Sequence, residues 1–225
     1  MARSRVPRII GKVLRLLLVL LILTVVSILC WRIFSSEKYT LAKGLQPNEA
    51  LNEAYREHGD DLILRYQNQS PSITRGEKNY GYFSVVDSVF IPEANQLQIV
   101  VRYNNSTLGH LAADYHLPDV PDRTEDLYDV TVVLSNSQTG EKLRLHPTGE
   151  PIRENTRLYT YRRFTFDNVS FDDTVTDVFV DIYYKEDINY EADAYGRLVI
   201  YDRSFKWLPY ELSTEEKKRL DSAIQ

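Results

Sequence analysis

Residues 13–34 are apolar almost without interruption, Arg15 near one end being the strong exception. A run of about twenty such residues is long enough to cross roughly 30 Å of hydrocarbon as a helix. Residues 35–79 are polar and read as a stalk, with a helix-like stretch at 46–59 in which Pro47 suits a first turn and Gly59 a stop. Within that stalk, 61–66 predicts a first short strand and 67–79 a connector.

From Tyr80 the pattern becomes alternation with period two, which puts every second side chain on one face of a strand. It is clearest where Leu97, Ile99, Val101 and Tyr103 alternate with Gln96, Gln98, Val100 and Arg102. Similar runs at 80–91, 127–135, 141–146, 157–167, 175–185 and 196–204 bring the count to seven strands. The breaks at 92–95 and 136–140 are short and turn-rich, so the first two strands pair as a hairpin, and so do the third and fourth. No long helical pattern separates the strands, which argues against parallel βαβ units. The expected fold is mainly β, an antiparallel β-sandwich of about seven strands and immunoglobulin-like proportions over residues 80–210, after a single transmembrane helix. The cysteine–tryptophan–cysteine core of antibody domains is absent. Ser213 and Glu216 form a capping box that opens residues 211–225 as a short, mostly solvated helix.

Charge decides how the apolar run is used. Arg3, Arg5, Arg8, Lys12, Arg15 and Arg32 lie in or beside it, and every acidic residue comes later. The basic flank assigns residues 1–12 to the cytoplasm and the rest to the extracytoplasmic side. A cleaved signal has a shorter apolar region and small residues at its end, whereas this run is long and leaves through Trp31, Arg32, Ile33 and Phe34. Leu29 before Cys30 is not the small residue a lipidation signal needs, so Cys30 reads as an ordinary apolar residue of a retained signal-anchor over 13–34. Beyond the anchor 21 basic residues face 32 acidic ones, a balance of about −11. Such a domain is unsuited to nucleic acid, whose phosphates supply most sequence-independent affinity. The one cysteine excludes an intramolecular disulfide framework and any zinc site of several thiolates.

Candidate chemistry is sparse. The connection at 106–126 carries His110, Asp114, His116 and Asp119, residue types that bind transition metals, in a spacing that matches no motif. The simpler expectation is a loop closing one end of the sandwich, and no cofactor is expected. Sixteen tyrosines, with Tyr159, Tyr161, Tyr183 and Tyr184 on strands, offer either cross-strand packing or a recognition surface. Two charges break the alternation: Asp87 shares parity with Phe83 and Val89, and Arg162 with Phe164 and Phe166. Either a β-bulge returns each to water, or both point inward and need a partner, the other being the available choice. Asparagine sequons, at Asn68, in the stretch Asn104-Asn105-Ser106-Thr107 and at Asn168, have meaning only in a glycosylating host. Hydrolase, metalloprotease, phosphate-loop and dinucleotide signatures are absent, so no enzyme is expected. The expectation is a single-pass membrane protein whose outer domain binds a protein or an envelope polymer. Its alternative is a helix that docks to a membrane complex, with the β domain as regulator or spacer.

Overall fold

The computed structural model describes residues 6–36, 44–67, 72–75, 78–104, 106, 113, 128–156, 159–171, 174–184, 196–202 and 206–224. The chain divides into two units, 1–39 and 40–225. The first contains helix α1, Val6–Ser36, whose 31 residues rise about 46 Å at 1.5 Å each. Its stretch Gly11–Trp31 has a mean hydropathy of 2.9 and none of it is buried. An amphipathic surface helix hides one stripe; this one leaves leucines exposed all round, from Leu14 to Leu29. The Thr24 hydroxyl donates to the Leu20 carbonyl at 2.9 Å, so it needs no water. Among the described residues, therefore, one helix is long and apolar enough to span a membrane.

The second unit is mainly β and antiparallel throughout. Its strands in chain order are β1 Arg65–Gln67, β2 Ser72–Arg75, β3 Lys78–Ile91, β4 Gln96–Asn104, β5 Tyr128–Ser135 and β6 Lys142–Leu145, then β7 Ile152–Asn155, β8 Tyr159–Asp167, β9 Asp177–Tyr184, β10 Gly196–Asp202 and β11 Leu208–Pro209. Strands β6-β5-β9-β10 form one half and β2-β3-β4-β8-β7 the other, with β1 beside β3 and β11 beyond β1. A single residue pair, Arg197 with Thr74, joins β10 to β2. The halves share one core: Val130, Val132, Val178, Val180, Ile182 and Ile200 come from the first, Phe83, Val85, Leu97, Ile99, Val101, Phe164 and Phe166 from the second. All seven expected strands are present, and both expected hairpins pair in register, Ile91 with Gln96 and Ser135 with Lys142. The turn at 92–95 closes on Asn95 in the left-handed region, φ 47°, where asparagine is tolerated.

Residues expected as a polar stalk are part of the folded unit. Helix α2, Glu49–His58, is capped by Asn48, whose side chain accepts from the Leu51 N–H at 3.0 Å, and it ends at Gly59, φ 56°. Leu51, Ala54 and Tyr55, spaced three and four apart, form its buried stripe. They join Leu45, Leu62, Leu64, Val89, Ile91 and Leu220 in a second core. Leu220 belongs to α3, Thr214–Ile224, a short helix that buries Glu216 and Leu220 and leaves most of its other residues exposed, as expected. The stalk expectation failed because polar composition outside the stripe hid these few apolar positions.

A bulge decides which side chains of β3 reach the second core. In β3 the register with β4 runs Val85 to Val101 and then Asp87 to Val100, so Val86 is a β-bulge. Before it the odd positions Phe83 and Val85 face the shared core; after it Phe90 does, and Val89 and Ile91 face the helices. The bulge expected at Asp87 is therefore real, but it does not return the charge to water. Asp87 is 5% exposed and pairs with Arg163 at 3.0 Å, not with Arg162. Arg162 keeps core-side parity at the margin, half-buried, its guanidinium 4.8 Å from the Phe164 ring centre and 5.7 Å from that of Tyr128.

Candidate functional site

The densest polar chemistry lies on the outer side of the four-stranded half. Val178, Val180 and Ile182 of β9 point to the core, so Phe179, Asp181 and Tyr183 point away from it. Asp181 stands between Thr131 of β5 and Arg197 of β10 in the cross-strand register. It has no exposed surface, and Arg197 grips it with two bonds, Nε to Oδ1 at 2.6 Å and Nη2 to Oδ2 at 2.7 Å. The fork matches a carboxylate and is the strong form of this contact. The Tyr183 hydroxyl donates to Oδ2 at 3.2 Å. Arg144 of β6 donates to the Tyr183 oxygen at 2.7 Å and to that of Thr131 at 3.2 Å, with Nη1 3.7 Å from Asp181 Oδ2.

Both guanidiniums lie over rings, Arg144 4.9 Å from the centre of Tyr183 and Arg197 4.8 Å from that of Phe179. Burial, and then the charge of Asp181, raise the Tyr183 pKa against the opposing effect of Arg144, so the phenol stays protonated at neutral pH. Two cations, one carboxylate and two aromatic rings make a pre-organised surface in which the long side chains have little rotamer freedom left to lose. Arg197 remains 42% exposed and Arg144 21%.

Tyr159 and Tyr161 lie elsewhere. They sit on β8 in the other half, with the parity of Arg163 and Thr165 and opposite to that of Phe164 and Phe166. The Arg102 guanidinium is 4.8 Å from the Tyr159 ring centre, and it hydrogen-bonds to Tyr161, whose pKa burial raises. Tyr161 has no exposed surface and Tyr159 is half-buried. The tyrosines singled out from the sequence thus divide between two halves and do not form one patch. The side chain of Tyr184 and the residues His110, Asp114, His116 and Asp119 lie outside the described residues. Among those described, no three His, Cys, Asp or Glu side chains come together as a metal-binding set.

A pocket of about 470 Å³ opens between the β5–β6 turn and the connection after β8, lined by Ser135, Asn136, Lys142, Leu143, Asn168 and Thr174 among others. The Asn136 side-chain oxygen is committed to the turn, accepting from the N–H groups of Gln138 and Thr139. Asn168, the sequon asparagine, is exposed in the left-handed region, φ 60°. Sequence reasoning missed Asp181, Arg144 and Arg197. The signal available was a carboxylate at mid-strand, flanked by aromatics and opposite in parity to a valine–isoleucine stripe.

Comparison with protein-family models, with curated proteins and with solved structures returns no match.

Proposed function

We propose that the chain is a single-pass membrane protein whose helix anchors an extracytoplasmic β-sandwich of immunoglobulin-like proportions, and that this domain is a non-catalytic binding or assembly module. The apolar helix followed by a β-rich unit supports the anchored arrangement. The basic flank supports a cytoplasmic N-terminus. The common core of the two strand sets supports the sandwich.

One observation carries the binding role: the aromatic-backed arginine pair around Asp181. Arginine and tyrosine dominate the energetics of protein interfaces because they bring large contact area and donors at low entropic cost. The partner this face suits is anionic, either an acidic protein surface or an anionic envelope polymer, since two guanidiniums hold one carboxylate between them and leave a net positive charge partly exposed.

The test is recovery of partners from intact membranes by the full chain, comparing wild type with Arg144→Ala. Loss of the recovered partner on this substitution, with the fold retained, supports the reading; an unchanged partner set refutes it. Replacing residues 13–34 by an unrelated apolar helix examines the alternative in which the anchor makes the functional contact. Loss of partner there, together with indifference to Arg144→Ala, would favour the helix.

A further inference from the structure

The segment just before α2 is held in an unusual way. Residues 44–48 have no helix or strand of their own, yet Leu45 is 2% exposed and every contact around it is specific. The Leu45 N–H donates to Glu216 Oε1 at 2.8 Å. The Gln98 side-chain amide engages the backbone of Gln46 twice, accepting its N–H and donating to its carbonyl, each at 2.8 Å. Gln96 accepts from the Gln98 amide through Oε1 and donates to Asn48 through Nε2. Gly44 lies so close to α3 that a Cβ there would meet Arg219 Nη1 at 3.1 Å. A carboxamide that pairs with both backbone groups of one residue, beside a pocket for one leucine side chain, is how proteins bind extended peptides.

We infer that the outer face of β4, under α2 and α3, is a peptide-recognition site occupied in cis by Gly44–Asn48, and that it takes an extended leucine-containing segment in trans when the cis segment is displaced. Two further features support separability. The second core has no residue in common with the shared core, so the sandwich does not depend on Leu45 for its own packing. The contacts under the segment are largely polar, and Gln96 and Gln98 can be satisfied by water when it leaves. This inference stands apart from the arginine face on the other half of the domain.

The experiment uses the full chain in detergent micelles and a fluorescent peptide with the sequence of residues 42–49. Leu45→Asp puts a charge in the leucine pocket and expels the cis segment. The cis segment competes at an effective concentration on the order of millimolar, so the expected result is peptide binding to the Leu45→Asp chain at least tenfold tighter than to wild type. A peptide carrying aspartate at the leucine position should not bind, and adding Gln98→Leu to the Leu45→Asp chain should abolish binding. Hydrogen exchange of β5 and β9 reports whether the sandwich is intact. An intact Leu45→Asp chain that ignores the peptide overturns the inference, and so does a Leu45→Asp chain whose β5 and β9 amides lose protection, because the segment would then be part of the domain and not its ligand.

Discussion

Adjacent arginines on β8 should behave in opposite ways when combined with Asp87. Asp87 is 5% exposed and Arg163 has no exposed surface, and their contact is 3.0 Å. Removing either partner leaves the other charge buried without its counter-charge, which costs about 3–5 kcal/mol. Arg163 also bonds Gln98 at 3.4 Å, which raises its loss towards the upper end. Once one charge is gone, removing the second costs little more, so Asp87→Ala with Arg163→Ala should fall short of the sum by about 2–3 kcal/mol. Arg162 faces the other side, stacked on Phe164 and within 3.4 Å of the Tyr128 hydroxyl. Its alanine variant should lose about 1–2 kcal/mol, and together with Asp87→Ala the two losses should add to within about 0.5 kcal/mol. Urea unfolding of the micelle-bound chain reads this through Trp207, half-buried against Phe171 and Tyr201, in a Trp31→Phe background. With an m value of about 2 kcal/mol/M, a 3–5 kcal/mol loss moves the midpoint by about 1.5–2.5 M. Additivity for Asp87 with Arg163, or strong coupling of Asp87 to Arg162, would refute the assigned pairing.

Four shorter expectations follow from other sites. Burial raises the Glu216 pKa, but hydrogen bonds from Tyr210, Ser213 and the Leu45 N–H outweigh it, so the carboxyl sits below its ordinary 4.5. A depressed folded pKa stabilises above the unfolded value and loses that contribution as pH falls through the folded one. Amides of α2 and α3 should therefore keep full protection at pH 5.5–7 and lose it below about pH 4.5, earlier than those of β5, while Glu216→Gln should show no such acid transition. Asp181→Ala should destabilise by about 1–3 kcal/mol, because Arg197 and Arg144 are partly exposed and water can replace their counter-charge, and Arg197→Ala should cost more, since Asp181 has no exposed surface and would keep the Tyr183 hydroxyl and the more distant Arg144; thermal melts check both. Phe166→Ala empties part of the shared core and should cost about 3–5 kcal/mol, measured by the same melts. Protease added to intact cells should digest the chain beyond residue 36, and the mature N-terminus should precede residue 13; a protected domain or a start beyond residue 30 refutes the anchor.

Elements with long, regular alternation were readable from the residues alone. Residues 96–103 and 177–184 place four and three apolar side chains in a row on one face, and no other register buries them. Of the strands of two to four residues, β1 and β6 fall at or beside stretches that the sequence marks as strands, whereas β2, β7 and β11 are too short to show a period and exist because a neighbour supplies the ladder. Tyr183 and Tyr161 could be singled out as strand tyrosines, but their neighbours could not. Arg144 meets Asp181 across two intervening strand contacts, a relation that requires the order β6-β5-β9. The second core was hidden for another reason. Leu45 and Leu51 are far from Leu220 in the chain and each of the three sits among polar residues, so only the tertiary fold makes them one cluster.

The parity of β3 depends on Val86 standing outside the ladder, which leads to a prediction sharper than any point substitution. At the bulge β3 also changes partner on its other edge, from β2, which reaches Ser84, to β1, which pairs from Ser88 to Phe90. The extra residue sits at that junction and has no Cα partner on β4. Deleting Val86 leaves Phe83, Val85 and Phe90 on the shared core, and Asp87, Val89 and Ile91 on the helix side, now in a regular ladder. The fold should survive with a loss of no more than about 1–2 kcal/mol from the half-buried valine. Deleting Ser88, two residues later, also gives a regular ladder, but it turns Asp87 into the shared core, away from Arg163. That variant should lose several kcal/mol and the protection of β3 amides, because an unpaired carboxylate cannot be buried there. Equal tolerance of the two deletions would mean that β3 re-forms its register freely, and the claim that one inserted residue assigns its side chains to two cores would fail.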